Sequence, residues 1–214
     1  MRFRTLALAA LLACLSVTPA HAAISLDDLL NAADLGNNTV VMEGVRRGMD
    51  VDSCDEAGLS LLMRASREGN IELVDFLLRN RANVRARTSW GDTAILLASQ
   101  KGHTNVIARL IEGGAEVNAA PKNWSPILYA AMEGHTAVVR QLLDKGANPN
   151  ARAPSLLTPL MIASRGGHID IVRLLLAAKA DPHLTNDRGD TALGWALAAG
   201  NTQIGDLLKA AGAK

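Results

Sequence analysis

The 214-residue chain sets 22 Lys and Arg against 21 Asp and Glu, for a formal net charge of +1, and 49% of its residues are hydrophobic. That balance suits one soluble domain with a substantial core, and with no clustered Lys/Arg run it argues against nucleic acid as a partner. Aromatic residues make up only 3% of the chain, so each of its three Trp carries information.

The chain opens with MRFRTLALAALLACLSVTPAHA, in which Arg2 and Arg4 precede an apolar run from Leu6 to Val17 and Pro19 stands just before Ala20-His21-Ala22. This is the layout of a secretory signal peptide, residues 1–22, with cleavage expected after Ala22. An apolar run of about a dozen residues falls short of the roughly 20 that cross a bilayer core as a helix, which argues against stable membrane insertion after cleavage. The rival is lipid attachment at Cys14, since Leu11-Leu12-Ala13-Cys14 loosely matches a lipoprotein box. Against it, Leu12 is bulky for its place and apolar residues continue past Cys14. Export places the protein most simply in a bacterial periplasm, with onward secretion as the alternative. Removing the leader leaves Cys54 as a single thiol, so no internal disulfide is possible. A partly sheltered turn position is expected for it, with pairing to another chain as the alternative.

Beyond the leader the chain repeats itself. Glycines at 36, 69, 102, 134, 167 and 200 are spaced 33, 33, 32, 33 and 33 residues apart, a period that marks a stacked array. Six units follow in order: 26–54, 55–87, 88–119, 120–152, 153–185 and 186–214. From the second unit on, each begins its first helix at a Ser or Thr cap (Ser60, Thr93, Ser125, Thr158, Thr191), with Pro126 and Pro159 directly after two of them, where a missing N–H does no harm. Gly69, Gly102, Gly134, Gly167 and Gly200 end the first helices, and a second apolar pattern then runs to a further glycine turn. Arg81 and Lys179 stand in that second glycine slot, where a left-handed backbone is expected to cost each on the order of 1 kcal/mol. Leu62, Ile95, Ile127, Leu160 and Leu193 recur on the first helix, and Leu77, Leu110, Leu142, Leu175 and Leu208 on the second. A single helix pair cannot bury these faces, so neighbouring units must. Gly44, Gly205 and Lys209 replace apolar residues in the terminal units, as expected of caps whose outer faces meet water.

These units resemble ankyrin repeats. Thr158-Pro159-Leu160-Met161 followed by Ala163 follows the family's Thr-Pro-Leu-His-x-Ala signature with Met at the His position, and Gly167-His168 and Asp187-Arg188-Gly189-Asp190-Thr191 follow its turns. The likeness covers about residues 26–214. It implies an all-α repeat solenoid of about six helix-turn-helix-hairpin units, the first and last atypical caps. It also implies protein recognition through a concave groove lined by hairpin tips and the exposed side of the first helices. Carried over by phase, that groove comprises Trp90, Asp92, Lys101, Lys122, Trp124, Met132, Glu133, Leu157, Arg165 and Arg188. Trp90 and Trp124 stand out, because large aromatics on polar hairpins of adjacent units form a candidate recognition patch. Trp195, in the row of Leu97, Tyr129 and Ile162, reads instead as core.

Neither catalysis nor metal binding is expected. His103, His135 and His168 recur once per unit, and packed helices stand roughly 8–10 Å apart, far beyond the roughly 2 Å at which imidazoles share a zinc ion. Motifs for a nucleophile elbow, a phosphate loop, a zinc helix or a Cys-x-x-Cys pair are absent from the sequence. The expectation is a monomeric, non-enzymatic module without cofactor that binds one or more proteins. A secreted effector acting on a host protein and a hydrolase with an unrecognised site are the alternatives. The mature chain is expected to begin at Ala23, which an intact-mass measurement of the exported protein checks; a dominant species lipidated at Cys14 would overturn it.

Overall fold

The computed structural model describes residues 24–118 and 124–213; the expected signal peptide, Cys14 and Lys122 lie outside them. Within the described residues the chain forms twelve helices in six pairs. They are α1 (Leu26–Asp34) with α2 (Asn38–Arg46), α3 (Leu61–Arg67) with α4 (Ile71–Arg79), α5 (Ala94–Lys101) with α6 (Thr104–Glu112), α7 (Pro126–Met132) with α8 (Thr136–Asp144), α9 (Pro159–Gly166) with α10 (Ile169–Ala177), and α11 (Ala192–Ala198) with α12 (Thr202–Ala210). The odd-numbered helices pack on one another in chain order, as do the even-numbered ones, so the molecule is a two-layer all-α solenoid. Isolated antiparallel bridges, Cys54 to Ser60 and Thr185 to Thr191, close two of the hairpins between units.

Each helix has seven to nine residues. Helices that short are unstable alone in water, so they rest on capping and packing. The side chains of Ser60, Thr93, Thr158 and Thr191 accept the N–H groups of Met63, Leu96, Met161 and Gly194 at 3.3, 3.4, 3.2 and 3.1 Å. Ser125 makes no such bond among the described residues, and Pro126 follows it at the first helical position. Both leucine and isoleucine rows named above are buried, and Ala65, Ala98, Ala130, Ala163 and Ala196 between them are wholly so, which brings neighbouring pairs close enough for one continuous core.

The Gly-His pair joins units as well as helices. His103 Nε2 lies 3.0 Å from the Arg67 carbonyl and His135 Nε2 lies 3.0 Å from the Gln100 carbonyl, each in the preceding unit. A carbonyl only accepts, so these rings carry their proton on Nε2. Asn201 does the same with its amide, donating to the Ser164 carbonyl at 2.8 Å. The glycine is required twice over. Gly69 adopts φ +72°, and a Cβ there would stand 2.6 Å from the His103 ring; Gly134 at φ +77° meets His168 at 2.7 Å in the same way.

The second set of turns is tied by side-chain oxygens. Asp52, Asn118 and Asn150 accept the backbone N–H of Asn83, Asn148 and Asp181 in the following unit at 2.7, 2.9 and 2.8 Å. Arg85 holds this register in the second unit and has no oxygen to offer. Its Nε donates instead to the Gly114 carbonyl at 3.1 Å.

Arg81 and Lys179 adopt φ 66° and 64°, as their place in a glycine slot requires. Leu156, at φ 60°, is a third left-handed residue that the repeat alignment passes over; it stands in the hairpin slot that Gly58, Gly91 and Gly189 fill elsewhere. Two expectations about exposure are corrected. Gly44 and Gly205 are buried, because Leu29 folds over the first and Leu197 over the second, so they are sites of close approach and not water-facing positions. Cys54 is exposed, not sheltered.

His135→Ala is expected to lower unfolding free energy by about 1 kcal/mol, the usual worth of one such hydrogen bond. EDTA should leave the thermal transition unchanged. A fall in melting temperature with chelator would show that the ring holds a metal and not a carbonyl.

Candidate functional site

The hairpins between units build the candidate face, and in the second, third and sixth units one side chain organises the tip. Asp55 Oδ1 accepts the N–H groups of Ala57 and Leu59 at 3.0 and 2.9 Å. Thr88 Oγ1 does so for Trp90 and Asp92 at 3.3 and 3.1 Å, and Asn186 Oδ1 for Arg188 and Asp190 at 2.9 and 2.9 Å. Adjacent tips are also joined through backbone, Ser89 N–H to the Ala57 carbonyl at 2.9 Å and Asp187 N–H to the Ser155 carbonyl at 3.3 Å. In the fifth unit the organising position is Ala153, which has no side-chain acceptor; its N–H bonds the Leu157 carbonyl at 3.0 Å.

On this frame Trp90 is 76% exposed, the most open of the aromatic rings that the face presents. Trp124 is not its equal. It occupies the register of Leu59, Asp92 and Leu157 at the base of the hairpin, is half-buried against the core, and lies 5.1 Å from the Tyr129 ring at a 44° tilt. Burial, and secondarily the charge of Asp92, push the Tyr129 hydroxyl above the ordinary phenol range. Asp92, Trp124 and Tyr129 are therefore neighbours at the middle of the face. Met132 ends α7 at 39% exposure, Lys101, Glu133, Arg165 and Arg188 are exposed, and Asp92 and Leu157 are half-buried. Lys122 lies outside the described residues.

The two ends of the face differ in charge arrangement. At the N-terminal end Arg64 is buried between Asp34 and Asp55, reaching Asp55 at 2.6 Å, and Arg67 binds Asp34 and Glu68 at 3.0 and 3.0 Å. Asp55 thus organises its hairpin with one oxygen and neutralises Arg64 with the other. At the C-terminal end Arg165, Arg188, Asp190, Trp195, Ala198 and Ala199 line a cleft of about 410 Å³. Arg165 Cζ lies 5.3 Å from the Trp195 ring centroid, a cation–π contact. The Asp190 carboxyl is held below the usual carboxylate range, first by the Asn186 amide and then by Trp195. Trp195 therefore packs on the core with one side and floors a cleft with the other, where its row suggested core alone.

Sequence reading missed Arg64 and Trp195 as members of the face. The available signal was register, since a charged residue in the row of Leu97, Tyr129 and Ile162 needs a partner. Among the described residues no three His, Cys, Asp or Glu side chains gather to hold a metal ion, and no helix is long and apolar enough to cross a membrane.

Family models of ankyrin repeats match most of the array: one of three copies over residues 29–120 and 62–153, and one of many copies over 142–194. Among characterised proteins the chain is similar to Rabankyrin-5 of Homo sapiens, 32% identical over 100 residues, which is 46% of this chain and 9% of that protein. It is also similar to ankyrin repeat and SOCS box protein 3 of Bos taurus, 31% identical over 91 residues (41% of this chain, 17% of the relative). A third likeness is to the RelA-associated inhibitor of Mus musculus, 33% identical over 91 residues (42% and 11%). The matches span less than a fifth of each of these relatives.

Arg64→Ala is expected to cost about 2 kcal/mol in denaturant unfolding, less than the roughly 3–5 kcal/mol of a fully buried pair because both carboxylates keep part of their water. Arg64→Leu, which restores the apolar row, should cost less than half as much. Equal losses would show that the lost ion pairs, and not the space the side chain fills, set the energy.

Proposed function

The chain belongs to the ankyrin-repeat family, and from that premise we propose that it is an exported, non-enzymatic module that holds a partner protein across its hairpin tips and first helices. Ankyrin repeats are protein–protein interaction modules, and the observation that carries the reading to this face is Trp90. A large ring left 76% open on a hairpin tip whose backbone Thr88 ties is an exposed anchor carried on an ordered turn. Half-buried Trp124, Tyr129 and Leu157 provide the apolar ground beside the tips, and Lys101, Glu133 and Asp92 provide charges of both signs at its edge. Nothing in this arrangement needs a cofactor, and the relatives' own partners are not transferable, because the matched repeats are a small share of each. The periplasm is the location proposed from the leader in residues 1–22, with secretion as the alternative.

Partner capture from the exported fraction, by tagged pull-down and mass spectrometry, tests the function. Trp90→Ala should weaken capture by about 2 kcal/mol, roughly thirtyfold, while moving stability by no more than about 0.5 kcal/mol. Leu110→Ala, one buried rung of the second helices, should cost about 2–5 kcal/mol of stability instead. If Trp90→Ala melts the array or leaves capture intact, the ring is not the anchor.

A further inference from the structure

The two ends of the face contain the same device in two conditions. Arg67 and Arg165 occupy the same position, near the end of the first helix, three units apart. Around Arg67 the array supplies its own anions: Asp34, from the same register one unit earlier, at 3.0 Å, and Glu68, the next residue, at 3.0 Å. Around Arg165 those two places hold Met132 and Gly166. Neither can accept from a guanidinium side chain as a carboxylate does, and among the described residues the Arg165 side chain makes no ion pair or hydrogen bond. It is not loose, however. Its Cζ lies 5.3 Å from the Trp195 ring centroid, so the ring attracts the guanidinium at the wall of the cleft that both line.

The rest of the cleft narrows the ligand. Trp195, Ala198 and Ala199 give it an apolar floor and side, and Arg188 adds a second cation across the hairpin tip. Asp190 lines the same cleft, its carboxyl held below the usual range, and offsets part of that charge. One carboxylate is attracted to Arg165, whereas a run of them would meet Asp190. We infer that the Arg165–Trp195 cleft is a carboxylate clamp that takes a peptide segment of the partner protein carrying a single acidic side chain flanked by apolar ones. This rests on the protein-binding reading above and gives it a chemical class of partner. The guanidinium fork donates two parallel hydrogen bonds to the carboxylate, as Arg67 does in parts to Asp34 and Glu68, and the flanking apolar side chains cover Trp195 and the two alanines.

The test is a titration of the full chain, read by the side-chain N–H signals of Arg165 and of the three Trp indoles, with three probes. These are the peptide acetyl-Gly-Leu-Glu-Leu-Gly-amide, its Gln counterpart, and sodium acetate. Saturable shifts at Arg165 and Trp195 are expected with the Glu peptide, about tenfold weaker or more with the Gln peptide and with acetate. Arg165→Gln should abolish the preference for Glu over Gln with the melting curve unchanged. Arg165→Lys, which keeps the charge but loses the fork, should recover only part of it. Equal response to Glu and Gln peptides, saturation by acetate at the peptide's concentration, or an unchanged preference in Arg165→Gln would each overturn the clamp. Shifts confined to the Trp90 indole would overturn the clamp and leave the protein-binding face standing.

Discussion

Everything in this molecule follows from the shortness of its helices. Seven to nine residues give two turns, too few to offset the entropy of ordering them without a neighbour, so no unit has a core of its own. Burial is shared across unit boundaries, and the alanine row decides how close the sharing brings them. The hydrogen bonds that cross those boundaries, from ring to carbonyl on one side and from side-chain oxygen to N–H on the other, fix the angle at which each unit meets the next. A stack built this way leaves the apices of its hairpins as the places least tied to the core. There an exposed side chain such as Trp90 varies from unit to unit without entering the packing.

The period, the helix pairs and the core rows were legible because they depend on residue type at fixed spacing, and the same physics repeats in every copy. What was not legible depends on departures in a single copy. Leu156 adopts a left-handed backbone because its neighbours along the stack demand the turn, and a leucine in sequence carries no mark of that. Gly44 and Gly205 read as water-facing, yet Leu29 and Leu197, from the first helices of their own units, pack over them. Cys54 likewise gives no sign in sequence of facing outward.

The face itself was half legible. Phase alone set Trp90 on a tip, and the tip is open. It did not separate Trp90 from Trp124, because two positions along a hairpin move a ring from its apex to its base, where Tyr129 receives it. Nor did it reveal that Arg64 is the centre of an ion cluster spanning two units, since Asp34 and Asp55 are distant in sequence and only the stack unites them. Trp195 was assigned to one environment when it has two, and a residue that large rarely fits wholly inside one.

The interlocking of glycine and imidazole has a bearing on how such a chain lengthens. Gly69, Gly102 and Gly134 each receive the ring of the unit that follows, and each unit that donates a ring also brings a glycine to receive the next. A unit copied whole and set down in register among these three carries both halves of the joint, so its neighbours accept it without alteration. The Arg64 cluster lacks that property, because Asp34 belongs to the first unit and Arg64 and Asp55 to the second, so an inserted unit without an acidic residue in the place of Asp34 leaves Arg64 with Asp55 alone. The middle of the array is thus more open to growth by tandem duplication than its beginning, an asymmetry of heredity written by a hydrogen bond at one joint and an ion pair at another.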